Sequence, residues 1–536
     1  MTDVTTADVV VAGAGHNSLI TAAYLAAAGH EVVVLDARHI PGGGAASEEV
    51  LLPGYRIDSC STGHTLIQTN PLLLDDELGL LADYGLEYLV PDPFAHVAFP
   101  DGRHLTMWMD PERNHEELSR FSRADADAYR RVLAEYDEVK HVFGAATFTP
   151  PGFGPSLDER LAEHPRGRIW QRRRMMSAWD VIRREFESPH VQSFMLWQAF
   201  QTLVPIDMPG SGQLAYSIVF GRQRRSWTLP RGGSGALTDA LVRFIEDHGG
   251  TVLSERPVAR LVLEDGRCTG VETEAGERFT ARRAVVSTIH VRHLLDMAPA
   301  EAWDEEFRYG VETFDLGISG FAVYMATTEP PVFETPDGPR TAVSAGLVGW
   351  PQQVIDHQRA LRDDRYVDDV AWLLVATPTL ADPSRAPAGR HTVKLLSGQP
   401  WLGGERWNGG LTERQAARQL ERVRAVAPNL IDDAILATLI KSPVDIEAAN
   451  RHMIHGTFHG GDRTIAQSGA LRPAPGWASH RMPIPGLYQT GGTTHPGGSI
   501  TGAPGRNAAM VLLQDLGTDI EEVVAGARRP RAGSHR

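Results

Sequence analysis

Two glycines and an acidic residue near the start of the chain have the types and spacing to bind a phosphate-bearing ligand. Gly13 and Gly15 follow the β-branched residues 9–11, and Asp36 stands about 20 residues beyond the turn. A Gly-x-Gly turn lets backbone N–H groups approach a pyrophosphate, and the helix that follows adds positive potential at its N-terminus. An acid at this distance accepts hydrogen bonds from a ribose, so the pattern predicts dinucleotide binding.

The elements that would position these residues form one βαβ unit. The valines at 9–11 and 32–34 predict two buried strands, and the alanine-rich residues 19–28 predict a helix that ends at Gly29. The third glycine of the usual G-x-G-x-x-G pattern is replaced by Ser18, a residue small enough for close packing of helix on strand. We assign cofactor contacts in this unit to Gly13, Gly15, His16, Asn17, Ser18 and Asp36.

Further glycine-rich segments stand beyond this unit, at residues 36–43, 231–237, 486–498 and 502–507. In this order they resemble the FAD signatures of the phytoene desaturase family. Within that family they resemble the phytoene dehydrogenase-like, carotenoid ketolase-type and pyridine nucleotide-disulphide oxidoreductase-domain members. The resemblance covers most of the chain and is strongest at its two ends. It implies FAD as cofactor and adds contacts at Ala37, Arg38, Gly43, Gly44, Ala45, Val258, Gly491, Gly492, Gly498, Ser499 and Ile500.

The resemblance also implies the fold class. We expect an α/β protein with a Rossmann-type FAD-binding domain of the two-dinucleotide-binding kind, and an interleaved α+β substrate domain with a mixed sheet and helices. A chain of 536 residues with 42% hydrophobic residues is too long for one simple core. The FAD-binding domain would comprise residues 1–92, 221–292 and 481–518. The substrate domain would comprise 93–220, mostly helical, and 293–480, and residues 519–536 would form a disordered tail.

Composition excludes several classes of protein. A net charge of −15 argues against a nucleic-acid partner, because phosphate contacts need a basic surface. The two cysteines, Cys60 and Cys268, are too few for a disulfide framework or a cysteine metal site, and they suit a reducing compartment. No apolar run approaches the ~18 residues of a membrane-spanning helix. We therefore expect a cytoplasmic protein, and the sequence does not decide its oligomeric state.

One basic segment is unusual for an acidic protein. Five arginines lie between residues 166 and 174, around Ile169 and Trp170. One interpretation is an amphipathic patch that makes peripheral contact with an anionic membrane surface. The other is an ordinary solvated helix whose arginines pair with carboxylates, and we favour it because short basic clusters are commonly exposed faces.

Three histidines are candidates for catalysis: His64, His455 and His495. Each lies in a segment that the resemblance places near the flavin, although an ordinary hydrogen-bonding or packing role is the alternative for a lone histidine. His452, His455 and His459 are close enough to suggest a metal site, but their spacing matches no HExxH helix and Gly456 interrupts them. We expect no metal.

The resemblance implies an FAD-dependent oxidoreductase that dehydrogenates a hydrophobic small molecule, such as an isoprenoid or carotenoid-like compound, by hydride transfer to flavin N5. No strong protein nucleophile is evident. An amine-oxidase-like enzyme that oxidises a C–N bond, with an aromatic cage beside the flavin, is one alternative. A flavin-dependent isomerase or saturase, or a structural FAD, is another. The electron acceptor, oxygen or a quinone, is left open.

Overall fold

The computed structural model describes residues 4–527. In that part of the chain the strands build two seven-stranded sheets and two short pairs. In chain order the strands are β1 (Val4–Ala12), β2 (Val32–Leu35), β3 (Ser47–Glu48), β4 (Ile57–Asp58), β5 (Tyr88–Leu89), β6 (Ala95–Ala98), β7 (His104–Met107), β8 (Leu229–Pro230), β9 (Thr251–Leu253), β10 (Val258–Glu264), β11 (Arg267–Thr273), β12 (Arg278–Ser287), β13 (Ser319–Thr327), β14 (Ser344–Val348), β15 (Trp372–Ala376), β16 (His391–Gln399), β17 (Ile435–Lys441) and β18 (Leu487–Gln489).

The helices of the described residues, again in chain order, are α1 (His16–Ala27), α2 (Pro71–Leu74), α3 (Pro111–Ser119), α4 (Arg123–Thr147), α5 (Leu157–Glu163), α6 (Gly167–Met175), α7 (Ala178–Glu185), α8 (Pro189–Phe200), α9 (Leu214–Arg225), α10 (Gly235–Asp247), α11 (Val291–Leu295), α12 (Glu305–Glu312), α13 (Pro351–Arg362), α14 (Gly409–Arg424), α15 (Pro443–Ala449), α16 (Ala503–Asp515) and α17 (Ile520–Ala527).

The first sheet has the order β10-β11-β12-β1-β2-β9, and β18 pairs with β12. Strand β1 runs parallel to both β2 and β12, with Ala12 opposite Leu35 and Ser287. Because parallel strands end at the same edge of a sheet, the turns after β1, β2 and β12 lie together. The strands of this sheet come from three separated stretches of sequence, 4–35, 251–287 and 487–489.

The second sheet has the order β17-β13-β16-β15-β14-β6-β7. This sheet is mixed, because β14 and β6 are parallel whereas all its other neighbouring strands pair in antiparallel fashion. A parallel-cored sheet with helices on its faces, joined to a mixed sheet with a helical layer, is the α/β architecture that the sequence predicts. The fold class is confirmed.

Helix α1 covers the first sheet and packs against the C-terminal helix α16. Ten of its twelve residues are buried, and half of those ten are alanine, serine or threonine, small residues that allow neighbouring backbones to come close. A Cβ added to Gly505 of α16 would overlap the Asn17 carbonyl. The Thr21 hydroxyl donates to the Gly505 carbonyl at 2.9 Å. The two ends of the chain are thereby joined next to the first glycine turn.

Helix α8 holds the helical layer on the second sheet. It is buried on nearly every side, as the placement of its apolar residues nearly all round the helix predicts. The Trp197 indole N–H donates to the Leu373 carbonyl at 3.1 Å, and the Trp372 indole N–H donates to the Trp197 carbonyl at 2.9 Å. These reciprocal bonds fix α8 on β15, and with it the loop that follows α8.

The structure corrects the expected disordered tail. Residues 520–527 form helix α17, and Ile520 and Val523 are buried against the core that contains α1. Apolar residues three positions apart on a helix share one face, and this face meets the protein rather than water. The prediction is therefore wrong for residues 520–527, and residues 528–536 lie outside the described part of the chain.

The basic segment forms helix α6, and several of its arginines meet carboxylates. Arg166 contacts Glu135 at 2.8 Å, Arg173 contacts the same carboxyl at 2.6 Å, and Arg174 pairs with Asp158. This is the arrangement that the surface-helix interpretation predicts. None of the helices within residues 4–527 is long and apolar enough to cross a membrane.

Candidate active site

A cavity of about 570 Å³ lies where the two sheets and the helical layer meet. Its wall includes Gly13 and Thr288 from the edge of the first sheet, Leu374 and Lys394 from the second, and Arg222 from α9. Its volume is in the range of cavities that bind small molecules or cofactors. It therefore gathers residues from both halves of the molecule.

The first glycine turn forms one end of this cavity. Gly13 has a φ of +96°, and a Cβ added there would lie 2.5 Å from Thr288 Cγ2. Asp36 fixes the turn, because its Oδ2 accepts a hydrogen bond from the Ala14 N–H at 2.7 Å and its Oδ1 accepts one from the Arg38 N–H at 2.8 Å. Burial raises the pKa of Asp36, and these two bonds oppose the rise.

The second glycine turn packs directly on the first. Gly15 and Gly42 form a parallel bridge, and a Cβ on Gly43 would come within 3.2 Å of the Gly15 Cα. Arg38 is anchored beside them, because its Nη2 contacts the Glu48 carboxylate at 2.8 Å. Two successive turns thus present backbone, without side chains, to the same space.

The C-terminal glycines close this end of the cavity. Gly491 has a φ of +92°, and a Cβ there would lie 2.5 Å from Thr288 Oγ1. A Cβ on Gly498 would overlap the backbone of His459. The imidazole of His16 is hydrogen-bonded to the Ser499 backbone, and burial lowers its pKa to about 4. Residues that are almost 500 positions apart therefore share one wall.

Most of the predicted cofactor contacts line this cavity. Two do not. The Ser18 hydroxyl lies behind the first turn and donates to the Gly13 and Gly15 carbonyls at 2.6 and 2.9 Å. Ala45 is fully buried, and its carbonyl accepts a hydrogen bond from Thr238 at 3.2 Å. The predicted residues on the wall are Gly13, Gly15, His16, Asn17, Asp36, Ala37, Arg38, Gly43, Gly44, Val258, Gly491, Gly492, Gly498, Ser499 and Ile500.

This end of the cavity fits a dinucleotide. His16 Nε2 and Asn17 Oδ1 are buried without a hydrogen-bond partner among the described residues, although both residues stand on the wall. The N-terminus of α1 also has no side-chain cap at Gly15 within residues 4–527. Unpaired backbone N–H groups at a helix start suit a pyrophosphate, and Asp36 suits a ribose. The turn at 13–17 and Asp36 are thus the residues that would hold such a cofactor.

His64 does not line the cavity. It is fully buried, its Nε2 lies 2.6 Å from the Ser234 hydroxyl, and its Nδ1 lies 3.3 Å from the Tyr88 hydroxyl. Burial lowers its pKa to about 3, so the ring is neutral at pH 7. Its hydrogen bonds join the segment after β4 to the turn after β8, which is a structural role.

His495 and His455 also lie off the cavity wall. His495 Nε2 donates to the Ala146 carbonyl at 3.0 Å, and burial lowers its pKa to about 4. The His455 ring stacks on Trp401 with 4.4 Å between centroids. None of the three predicted catalytic histidines lines the cavity, so their positions give that prediction no support. Within the described residues no group of three or more potential ligands is arranged to hold a metal.

Several polar residues on the wall were not among the predicted site residues, and His459 and Lys394 are two of them. His459 hydrogen-bonds the Thr202 backbone, and burial lowers its pKa to about 3. Lys394 donates to the Cys60 carbonyl, and its Nζ lies 5.3 Å from the Tyr324 ring centroid. Burial lowers the pKa of Lys394. A lysine between Val393 and Leu395 in strand β16 is a signal that sequence analysis could have used, because lysine is rarely buried without a role.

A model of the family described as flavin containing amine oxidoreductase matches residues 19–513. The chain belongs to this family. Its cofactor is FAD, and the protein is an FAD-dependent oxidoreductase. The match covers most of the described residues, from the helix after the first glycine turn to the C-terminal glycine-rich segment. The predicted cofactor and enzyme class are confirmed.

Among curated relatives, the chain is 28% identical to pyridine nucleotide-disulfide oxidoreductase domain-containing protein 2 of Mus musculus, over 95% of this chain and 94% of that protein. It is 28% identical to one component of the limonene dehydrogenase of Castellaniella defragrans, over 99% of both chains. It is 25% identical to the lycopene-forming phytoene desaturase of Pantoea ananas, over 94% and 99%. The expected family resemblance is confirmed.

Solved structures support the same fold. An oxidoreductase from Methanosarcina mazei superposes with a TM-score of 0.61 at 18% identity, over 93% of this chain and 98% of the other. Wild-type putrescine oxidase bound to putrescine superposes with a TM-score of 0.61 at 14% identity, over 96% and 99%. At these identities the likeness concerns the fold alone.

Proposed function

We propose that this flavoenzyme dehydrogenates a hydrophobic small molecule of the isoprenoid class by hydride transfer to FAD. The observation that carries the proposal is the apolar part of the cavity wall, away from the glycine turns. Apolar and aromatic walls of this kind bind apolar ligands and exclude water. The side chains that supply it are Leu66, Leu203, Ile218, Leu374, Leu396 and Phe458.

The names of two relatives agree with this proposal. One relative over nearly the full length of the chain is a component of a limonene dehydrogenase, and another is a phytoene desaturase. Limonene and phytoene are both apolar compounds. Fold alone does not determine function, and so the proposal rests on the chemistry of this wall together with these names.

The protein and its cofactor have different roles in the proposed reaction. Bound FAD supplies the hydride acceptor. The chain would position the substrate against a wall in which Trp227 packs closely on Gly63, where an added Cβ would lie 2.5 Å from the indole Nε1. Cys60 stands on the wall, but burial raises the pKa of its thiol, so it is protonated and a poor nucleophile at pH 7. Orientation and exclusion of water are therefore the contributions of the chain.

The distribution of charge on the wall disfavours an amine substrate. The cations Arg222 and Lys394 stand beside the apolar residues. The carboxylates of the wall, Asp36 and Glu274, lie near Val258, since the Arg256 N–H donates to the Asp36 carbonyl and the Glu274 N–H to the Pro257 carbonyl. An ammonium group in the apolar region would meet like charge without a counterion, which is costly at low dielectric.

Anaerobic reduction of the purified holoprotein tests the proposal. At least one member of a panel of isoprenoid hydrocarbons, alcohols and acids should bleach the oxidised flavin absorbance, whereas primary amines should not. Bleaching by amines alone, or by no isoprenoid, would contradict the proposal. Leu396→Asn should slow the bleaching while the protein keeps its flavin, because it places an amide in the apolar wall. Leu436→Asn, at a residue that is 44% exposed, is the matched control and should behave as the wild type.

A further inference from the structure

Four arginines are at least nine-tenths buried among the described residues: Arg222, Arg385, Arg472 and Arg506. Burial of a guanidinium is unfavourable unless its charge and its N–H donors find partners. The partners of these four arginines therefore show what each one does. Only Arg222 of this group stands on the cavity wall.

Three of the four have partners within the protein. Arg385 contacts the Asp58 carboxylate at 2.7 Å, and Arg506 contacts the Glu77 carboxylate at 2.7 Å. Arg472 instead donates to a set of backbone carbonyls, those of Gly460, Gly461, Asp462, Gln467 and Gly492. For each of these three the fold supplies a carboxylate or a set of carbonyls for the charge, although Arg385 Nε and Nη1 have no hydrogen-bond partner among the described residues.

Arg222 differs from them. Its Nη2 donates to Gln201 Oε1 at 2.5 Å, while its Nη1 is buried without a hydrogen-bond partner in residues 4–527. Its guanidinium lies 5.6 Å from the Trp227 ring centroid, and no carboxylate among the described residues lies within ion-pair distance of it. Burial lowers its pKa to about 9, so it is charged at pH 7. The amide Nε2 of Gln201 is also buried without a partner in this part of the chain.

Contacts along the wall place this pair beyond the glycine turns. The Ser61 N–H donates to the Gly44 carbonyl at 3.1 Å, Gly63 follows against the Trp227 indole, and Trp227 lies under Arg222. Gln201 and Arg222 also stand beside the apolar residues Leu203 and Ile218 on the same wall. The unpaired donors thus belong to the apolar part of the cavity.

We propose that the substrate carries a carboxylate, which Arg222 and Gln201 hold while its apolar body occupies the rest of the cavity. This inference rests on the function proposed above and names the polar group of its substrate. A carboxylate has two oxygens and one negative charge. It therefore supplies the counterion that Arg222 lacks among the described residues, and acceptors for the free N–H groups of both side chains.

Lys394 is the other cation beside the apolar residues, and its environment is different. Its Nζ donates to the Cys60 carbonyl and faces the Tyr324 ring. Its charge therefore has partners in the protein, whereas Arg222 has a neutral amide and an aromatic face. This contrast favours Arg222 as the carboxylate-binding residue.

Binding of a matched pair of isoprenoids to the holoprotein tests the inference. Farnesoic acid and farnesol have the same chain and differ in the terminal group, and each can be titrated against the flavin absorbance without turnover. We expect the acid to bind more tightly than the alcohol at pH 7. Arg222→Gln should weaken binding of the acid about 30-fold and that of the alcohol no more than about twofold, because only the acid loses an ionic partner.

Arg224→Gln is the matched control. Arg224 lies on the same helix with its side chain 62% exposed, and the substitution removes the same charge. It should leave both affinities unchanged, and all variants should keep FAD. Equal affinities of the wild-type protein for acid and alcohol would overturn the inference. So would loss of acid binding in Lys394→Met with none in Arg222→Gln.

Thermal unfolding separates ligand binding from a structural role. The ligand-free Arg222→Gln protein should melt at the same temperature as the wild type or higher, because the variant removes an unpaired buried charge. A lower melting temperature together with equal loss of acid and alcohol binding would overturn the inference. If acid binding depends on Arg222 but only amines bleach the flavin, the carboxylate site stands and the proposed dehydrogenation fails.

Discussion

The two ends of the cavity recognise ligands by different means. At the end formed by the glycine turns, the groups available to contact a ligand are backbone groups and the single carboxylate of Asp36. The turns are held by short backbone contacts. At the apolar end, side chains from separate helices and strands form the wall. Backbone recognition permits little variation, whereas side chains can be exchanged one at a time. We therefore expect the first end to hold the cofactor and the second end to select the substrate.

The two ends of the cavity also differ in how their charged side chains are paired. Around the glycine turns Arg38 is paired with Glu48, and Asp36 accepts two backbone hydrogen bonds. At the apolar end Arg222 has no carboxylate partner in the described part of the chain. A charge that the fold leaves unpaired lowers stability, and so it is retained where a ligand completes it.

The largest expected effect comes from closing the space at the cofactor end. Gly13→Ala should abolish FAD retention, since its Cβ would lie 2.5 Å from Thr288 Cγ2 and its φ of +96° is unfavourable for alanine. Gly29→Ala is the matched control: Gly29 has a φ of +85°, but no described atom lies within 4 Å of the added Cβ. Its flavin content, measured by absorbance after purification, should equal that of the wild type.

This pair separates the steric effect from backbone strain. Both variants should lose about 1–2 kcal/mol of unfolding free energy from the positive φ. If Gly29→Ala lost as much flavin as Gly13→Ala, general destabilisation would explain the result. The result would then give no support to the idea that close backbone approach at the glycine turns is what retains FAD.

A smaller effect is expected from a buried ion pair off the cavity wall, in which Asp58 and Arg385 contact each other at 2.7 Å. Asp58 also accepts hydrogen bonds from the Ser234 N–H at 2.8 Å and the Ser47 hydroxyl at 2.7 Å. Asp58→Asn should cost about 3–5 kcal/mol of unfolding free energy, because Arg385 is left charged and unpaired. Chemical denaturation measures the loss.

An exposed ion pair provides the control for this prediction. Asp369 contacts Arg418 at 3.0 Å with its side chain 66% exposed, and Asp369→Asn should leave the denaturation midpoint unchanged. A similar loss in both variants, or none in Asp58→Asn, would show that burial does not govern the strength of these pairs.

His459 gives a pH-dependent prediction, because it touches both ends. Its backbone contacts Gly498, and its ring bonds the Thr202 backbone. Burial lowers its pKa from 6.5 to about 3. The folded state therefore binds fewer protons than the unfolded state, so the contribution to stability is complete above pH 6.5 and is lost as pH falls towards 3. At pH 5 the loss is about 2 kcal/mol.

Denaturation at pH 7 and pH 5 tests this expectation. The difference in unfolding free energy between the two pH values should shrink by about 2 kcal/mol in His459→Gln. His39→Gln is the control, at a histidine whose side chain is 64% exposed, and should leave the difference as it is in the wild type. An unchanged difference in His459→Gln would mean that His459 is not held neutral.

The smallest effect is expected from Gly63→Ala at the apolar end. The added Cβ would lie 2.5 Å from Trp227 Nε1, so the indole must shift. We expect FAD content to be retained and the KM of the substrate to rise about fivefold, the ratio for ~1 kcal/mol. Gly144→Ala, in α4 with no described atom near the added Cβ, is the control. Loss of flavin in Gly63→Ala would place this glycine at the cofactor end instead.

The glycine turn, the helix after it and the role of Asp36 could be predicted because each depends on neighbours within one βαβ unit. Thr288 could not, although it touches both Gly13 and Gly491. It reaches them because β12 pairs in parallel with β1, where the Thr288 N–H donates to the Ala12 carbonyl at 3.0 Å. Strand order at such distances leaves no local pattern in the sequence.

The positions of the histidines were likewise not predictable from local sequence patterns. Sequence analysis favoured His455 within the segment 452–459, but the backbone turns at Gly456 and only His452 and His459 of that segment's histidines reach the wall. The tail shows the opposite case, since Ile520 and Val523 stand at helical spacing that sequence analysis should have used.

The sequence by itself determined a dinucleotide-binding βαβ unit, because turns, strands and helix starts are set by residues close together in the chain, and its resemblance to a flavoprotein family predicted FAD. Only the tertiary structure decided which residues complete the cavity. Gln201, Arg222 and Trp227 meet there because two sheets and a helical layer pack together, and the chemistry of that meeting depends on which donors the packing leaves unpaired.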